Sequence, residues 1–374
     1  MNVPKLRFKE FNDEWCYQSL SKYVNRITTK NKNNESDLVL TISAQYGLVD
    51  QTIFFNRSVS SSNLTGYYLL NNGDFAYNKS YSNGYPWGTV KRLNKYNQGV
   101  VSSLYICFKT NNLIDSNFLE QYFETNKWYQ QISEVSVEGA RNHGLLNIAV
   151  NDFFNTKHYI PSIKEQEKIS KFLSLLDKKI ELQTKKIEDL KLFKKGLLQK
   201  QYNYIKDKNL VELSYIANIY QPQTISQNKL DNGKYFVFGA NGIIGKYSRY
   251  NHKQKQITIS CRGENSGKVN ITPEKCWITG NSMVLNTDNN YNVDKMYLKC
   301  VLDSQNLRYL ISGSGQPQIT RNVILKHKIP LLPISEQKKF RNPFIKLDLK
   351  IHLEETKVNK LLDIKKGLMQ DMFV

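Results

Sequence analysis

The chain has 374 residues, enough for two or three domains that each bury a core of their own. Its 23% charged and 40% apolar residues are a globular composition, which excludes a largely disordered chain. With 53 Lys+Arg against 33 Asp+Glu the formal charge is +20, which favours polyanions such as nucleic acid as partners.

The first stretch, MNVPKLRFKEFNDEW, has no apolar signal segment. No run approaches the roughly 18 apolar residues of a membrane span, so a soluble, cytoplasmic protein is expected. Residues 1–155 hold short β-rich runs such as VVSSLYICF between Asn/Gly/Ser turns, with a helix-like stretch, SNFLEQYFETNKWYQQI, before the last strands. A Pro-containing strand, YIPSIKEQ, leads into a long helical pattern that fills 156–203. Residues 204–328 return to β-rich runs, KYFVFGA and KQITIS, followed by the helix-like VDKMYLKCVLDS. KIPLLPISEQ then opens a second long helix within 329–374. The five cysteines (Cys16, Cys107, Cys261, Cys276, Cys300) show no CxxC spacing, so reduced, mostly buried thiols are expected, without zinc or a disulfide framework.

Sliding the chain by 171 positions aligns 165–202 with 336–373 without a gap. About 15 of roughly 38 positions are then identical, including Glu165-Gln166/Glu336-Gln337, Asp177/Asp348 and the block KKGL at 194–197 and 365–368. In the first copy Ile169, Leu173, Leu176, Ile180, Ile187, Leu190 and Leu197 follow an alternating four-three spacing. Phe340, Phe344, Leu347, Ile351, Val358, Leu361 and Leu368 do so in the second. That is an a/d seam on helices roughly 55–60 Å long, and each copy is the natural partner of the other. An antiparallel register can be chosen so that the polar seam residues pair as Lys194 with Glu354 and Gln183 with Lys365. Pro343, where the first copy has Phe172, is expected to kink or split the second helix near its start.

Segments that imitate catalytic motifs fail on their details. GANGIIGKY offers Gly239, Gly245 and Lys246, but the glycine spacing is one too long for a phosphate loop and Tyr247 stands where Ser/Thr would hold magnesium. GSGQPQ has Gln318 in the third glycine position of a dinucleotide fingerprint and Pro317 blocking helix entry. No metal-binding histidine pair, nucleophile elbow or amino-methyltransferase motif is present, so no catalytic residue and no metal ligand is expected.

The polar, glycine-bearing loops instead suit DNA. Arg reads guanine and Asn or Gln reads adenine through bidentate pairs, while Lys, Ser and Thr more often hold phosphates. In the first domain the candidates are Gln45 and Tyr46 of SAQYG, and Asn78, Lys79, Tyr81, Lys91 and Arg92 of NKSYSNGYPWGTVKR. Arg141, Asn142 and His143 of EGARNHG join them. In the second they are Asn241, Lys246 and Tyr247 of GANGIIGKYSRY, Arg262, Asn265 and Lys268 of SCRGENSGKV, and Ser314, Gln316, Gln318 and Arg321 of SGSGQPQITR.

These strings and their order resemble the specificity subunits of type I restriction-modification systems. The likeness rests on PKLRF…DEW, YYLLNNGDFAYNKSYSNG, GVVSSLYICF and EGARNHGLLNI, then on GANGIIGKY, CRGENSGKV, WITGNSMVL and GSGQPQITR, each set running into a proline, an EQ pair and a helix ending KKGL. Pro343 and the spacing from Pro333 to Glu336, one less than from Pro161 to Glu165, depart from the first copy. The resemblance implies an α+β chain of two α/β target-recognition domains, 1–155 and 204–328. Two long helices, 156–203 and 329–374, would separate them as an antiparallel coiled coil with an internal pseudo-twofold repeat. Each domain would read one half of a split double-stranded DNA site, and the helices would set the gap. The partners implied are two methyltransferase subunits that modify adenine and motor-nuclease restriction subunits. S-adenosylmethionine, ATP and magnesium would belong to those partners, not to this chain. The alternative reading is a helical scaffold or adaptor with β-rich protein-interaction domains, whose affinity would hardly fall with salt.

Overall fold

The computed structural model describes residues 2–55, 63–82, 84–136, 146–263, 265–311 and 318–374. The chain divides into two compact units, Met1–Leu182 with Lys357–Val374, and Gln183–Thr356. Each is α+β, as expected, and each contains one domain and parts of both long helices.

In the first unit four antiparallel strands lie in the order Val24–Arg26, Ile106–Thr110, Phe75–Asn78, Thr89–Arg92. Side chains alternate across a strand, so each face acquires its own core. Phe75, Tyr77, Ile106 and Phe108 face the helix Ser116–Phe123, where Phe118, Leu119 and Tyr122 cover them. Ala76 and Cys107, one residue out of phase, meet Leu40, Leu48, Leu70 and Val101 from two smaller two-stranded sheets. Asp115 starts the covering helix by accepting the Phe118 N–H at 2.7 Å.

The second unit repeats this plan. Its antiparallel strands run Asn218–Tyr220, Ser282–Asn286, Ile257–Ser260, Val269–Ile271. Ile257, Ile259, Met283 and Leu285 pack under Tyr297, Leu298, Val301 and Leu302 of the helix Lys295–Ser304, which Asp294 caps. A three-stranded sheet containing Tyr235–Gly239 and Gly242–Tyr247 covers the opposite face through Phe238 and Ile278. All five cysteines are free thiols and four are buried.

Each domain is closed by its own last strand. Lys157–Ile160 pairs with Cys16–Ser19, and Lys328–Pro330 pairs with Leu210–Glu212. The boundary drawn at 155/156 therefore leaves the closing strand Lys157–Ile160 outside its domain, that at 328/329 cuts Lys328–Pro330, and the helices begin after these strands, at Ile163 and Ile334. The first long helix spans Ile163–Asn203 and the second Ile334–Asp371. Pro343 does not split the latter, although it removes one backbone donor. Phe340 and Phe344 on either side of it are both buried among the second core, with Phe340 edge-on to Tyr297, and this burial outweighs the lost bond.

The helices run antiparallel in both units, but not in the expected register. In the second unit Glu354 is buried and takes the Gln183 amide and the Lys186 ammonium, the latter at 2.9 Å. Lys194 lies 2.5 Å from Asp348, not against Glu354. In the first unit Lys365 lies 2.5 Å from Asp177, not against Gln183. The expected pairing considered seam positions alone. The observed one draws on the aspartates beside the seam, giving each buried or half-buried lysine a carboxylate of its own. Of the seam residues, Ile187 and Ile351 are buried, and Leu176, Ile180, Leu190, Leu347, Val358 and Leu361 are half-buried.

The residues that follow the second helix, Met372 and Phe373, complete the first core. Phe373 is 1% exposed and its ring lies 5.4 Å from that of Phe118. Phe373→Ala should therefore cost about 3–5 kcal/mol of unfolding free energy. Denaturant titration checks this, and a loss below about 1 kcal/mol would contradict the packing.

Two histidines at matching places are buried and neutral. His158 accepts from the Tyr122 hydroxyl and donates to Thr156, both at 2.8 Å, since the Thr156 proton is given to the Phe153 carbonyl. His327 lies between Tyr309 and Gln305. Burial pushes His158 down to about 3 and lowers His327 from the usual 6.5. Because the folded values are depressed, this stability is present above the unfolded value of about 6.5 and is lost as pH falls from there toward 3. His158→Gln should flatten the acid-side decline by about 1.4 kcal/mol per pH unit within that window. Unfolding titrations at several pH values check this, and an unchanged slope would contradict it.

Candidate nucleic-acid interface

In the second unit three polar segments are laced to one end of the central strand Ile257–Ser260. The turn at Ala240–Asn241 is held by the Ser260 hydroxyl and, at 3.3 Å, by the Asn270 amide, both donating to the Ala240 carbonyl. Cys261 takes the Ile319 N–H at 2.9 Å, and Arg262 bridges to Gln318. Lys268 donates to Asn241 at 2.6 Å, joining the loop after the central strand to the turn. Asn241, Arg262, Asn265, Lys268 and Gln318 are all exposed on this face. Gly267 is required for the close approach, since its φ is +89° and a Cβ there would stand 3.1 Å from the Leu307 carbonyl carbon.

The first unit builds the same lacing around Phe75–Asn78. Lys79 takes the Leu146 N–H at 2.9 Å, as Cys261 takes that of Ile319, and its ammonium donates to the Ile148 carbonyl at 3.2 Å. Asn78 accepts the Ser80 N–H and fixes the turn. Tyr81 is 57% exposed on the following loop. The hairpin tip presents Gln45 and Tyr46, the latter 60% exposed, over a cleft of about 1080 Å³. Lys91, Arg92, Lys95, Lys365 and Lys366 also line that cleft. Lys95 and the two helix lysines were not among the sequence candidates, because only the fold brings them to the hairpin.

Other candidates make contacts within their own unit. Lys91 is buried and paired with Glu124 at 2.5 Å. Arg92 holds Asn117 at 2.6 Å and Glu120 at 3.3 Å, so these two cations fasten the covering helix to the sheet. Arg321 donates to the Ile219 carbonyl at 2.6 Å. Lys246 and Tyr247 sit at the far end of their hairpin from Asn241, with Lys246 near the Phe236 ring and Tyr247 edge-on to Trp277. The same hairpin places Gly239 and Gly245 in strands, not in a phosphate loop. Arg141, Asn142, His143, Ser314 and Gln316 lie outside the described residues.

Two domains of one plan, each offering polar loops at the end of its central strand and each running into a long helix, define a protein of two repeated modules. Residues 205–363 match the family model of the type I restriction modification DNA specificity domain. The chain is 23% identical over 318 residues to the type I restriction enzyme MjaVIII specificity subunit of Methanocaldococcus jannaschii, with 73% of each chain covered. The S subunit of a type I restriction-modification system from M. genitalium shares the fold, with a TM-score of 0.59 at 18% identity over 100% of this chain and 99% of that one. A chain solved in work on assembly and conformational transition of the type I R-M system gives 0.58 at 15% identity, covering 98% and 99%. Residues 205–363 are thus similar to a type I specificity domain, and the whole chain shares the fold of specificity subunits of those systems. No helix among the described residues is long and apolar enough to cross a membrane.

Proposed function

We propose that the chain is a non-catalytic, cytoplasmic DNA reader that gives a type I complex its target. Each domain reads one half of a split site. The long helices act as the ruler between the half-sites, and two methyltransferase subunits with their restriction subunits act where the readers bind. On this reading S-adenosylmethionine, ATP and magnesium sit on the partners, and adenine is the modified base.

The observation that carries the proposal is the repeated lacing. The segment beginning at Leu146 is tied to Lys79 as that beginning at Ile319 is tied to Cys261, so exposed polar loops gather at the same end of both central strands. Arg262, Asn265, Asn241 and Gln318 have the donor and acceptor sets that read base edges, and Lys268 suits a phosphate. The +20 charge supplies attraction that does not depend on sequence.

In the complex with its methyltransferase, Arg262→Ala or Gln318→Ala should relax one half-site by about 10- to 100-fold and leave the other half-site intact. Binding should weaken with salt at a log–log slope of about −0.9 per neutralised phosphate. Competitive binding to half-site variants and a salt titration check both. Loss of both half-sites together would refute the division of labour, and a slope near zero would favour the scaffold reading.

A further inference from the structure

The EQ pair that marks both helix starts is more than a trace of duplication. Gln166 and Gln337 are 1% and 0% exposed. The Gln166 carbonyl oxygen accepts the Asp115 N–H at 2.8 Å, while its amide donates to the Pro161 carbonyl at 2.9 Å. Gln337 does the same, accepting from Asp294 at 2.8 Å and donating to Leu332 at 2.7 Å and to Asn292 at 2.8 Å. Asp115 and Asp294 are the residues whose carboxylates cap the covering helices Ser116–Phe123 and Lys295–Ser304. One side-chain amide therefore joins three parts of each unit: the covering helix, the turn that follows the closing strand and the long helix.

Such a joint is directional in a way that apolar packing is not. A hydrogen bond weakens with both distance and angle, whereas apolar burial is non-directional and does not by itself fix how a helix is turned about its axis. Further contacts stiffen it. Arg7 grips Glu165, the neighbour of Gln166, through two bonds of 2.7 and 2.8 Å. About three turns further along the same helix Gln121 of the covering helix donates to Asp177 at 3.0 Å. In the second unit Arg341 holds Asp294 at 2.9 Å.

We propose that Gln166 and Gln337 are positioning residues that fix the phase of each reader on its long helix and thereby restrict the gap the complex accepts. The proposal rests on the DNA-reading function above. Neither side chain would touch DNA; each acts through its aspartate. One base pair more or less in the gap moves a half-site by about 3.4 Å and turns it by about 34°. A reader locked to its helix rejects that change, and a reader that rolls accommodates it.

The test uses the full chain, wild type and Gln166→Met or Gln337→Met, co-expressed with its methyltransferase partner. The substrate is a plasmid library that keeps the methylated half-sites and varies the gap by one and two base pairs. Methylation at the neighbouring gaps, relative to the native gap, should rise at least ten-fold in either variant, with half-site bases unchanged. An unchanged gap profile in a variant that assembles, or altered half-site bases, would overturn the proposal. Should the methionine variants fail to assemble, Gln166→Glu and Gln337→Glu carry the same prediction. They keep the size and the acceptor but set a carboxylate against the Pro161 or Leu332 carbonyl. A wild-type chain that directs no methylation at any split site would instead sink the reader function itself, a result distinct from an unchanged gap profile.

Discussion

A buried side-chain amide at the root of each long helix is the constraint on which both units depend. Gln166 and Gln337 satisfy a helix-start N–H that has no partner within its own helix and a carbonyl from the turn that leads into the long helix. Left unmade, each buried group would cost about 1–3 kcal/mol. The requirement accounts for the spacing of the whole motif. A proline ends the closing strand, the chain turns, and the glutamine arrives where it can face the capped end of the covering helix. Sheet, covering helix and long helix thus share one junction in each domain.

Charge finishes what the amide begins. The repeated KKGL block places Lys194 and Lys365 where each meets the aspartate of the other copy, Asp348 and Asp177. Leu197 and Leu368 from the same block pack against the two cores. Two sequence elements of the duplication are therefore spent on holding helix to helix, and the aromatic chain end spends Phe373 on the first core. The polar loops hang from strand ends, where Gly267 permits a close turn without disturbing the sheet.

Local periodicity made much of this fold legible. The duplication, both long helices, the apolar seam and the helix-like stretches that became Ser116–Phe123 and Lys295–Ser304 all follow from residue spacing. What could not be read are pairings between distant residues. The helix register depended on Asp177 and Asp348, which look like ordinary solvated carboxylates in sequence. That Lys91, Arg92 and Arg321 have partners within the fold was hidden because Glu124, Glu120 and the Ile219 carbonyl are far away in the chain. Pro343 looked disruptive because the burial of Phe340 and Phe344 that offsets it is tertiary. The EQ pair was visible as a repeat, but its role required knowing that Asp115 and Asp294 begin helices opposite it.

The central claim is that this chain supplies the address for chemistry performed by others. The most direct measurement is a map of methylated adenines in cells expressing the chain with its methyltransferase partner, beside cells expressing the partner alone. The account predicts methylation at one split motif that appears only when the chain is present. The same methylated sites with and without the chain, or no split motif although the two proteins co-purify, would contradict it.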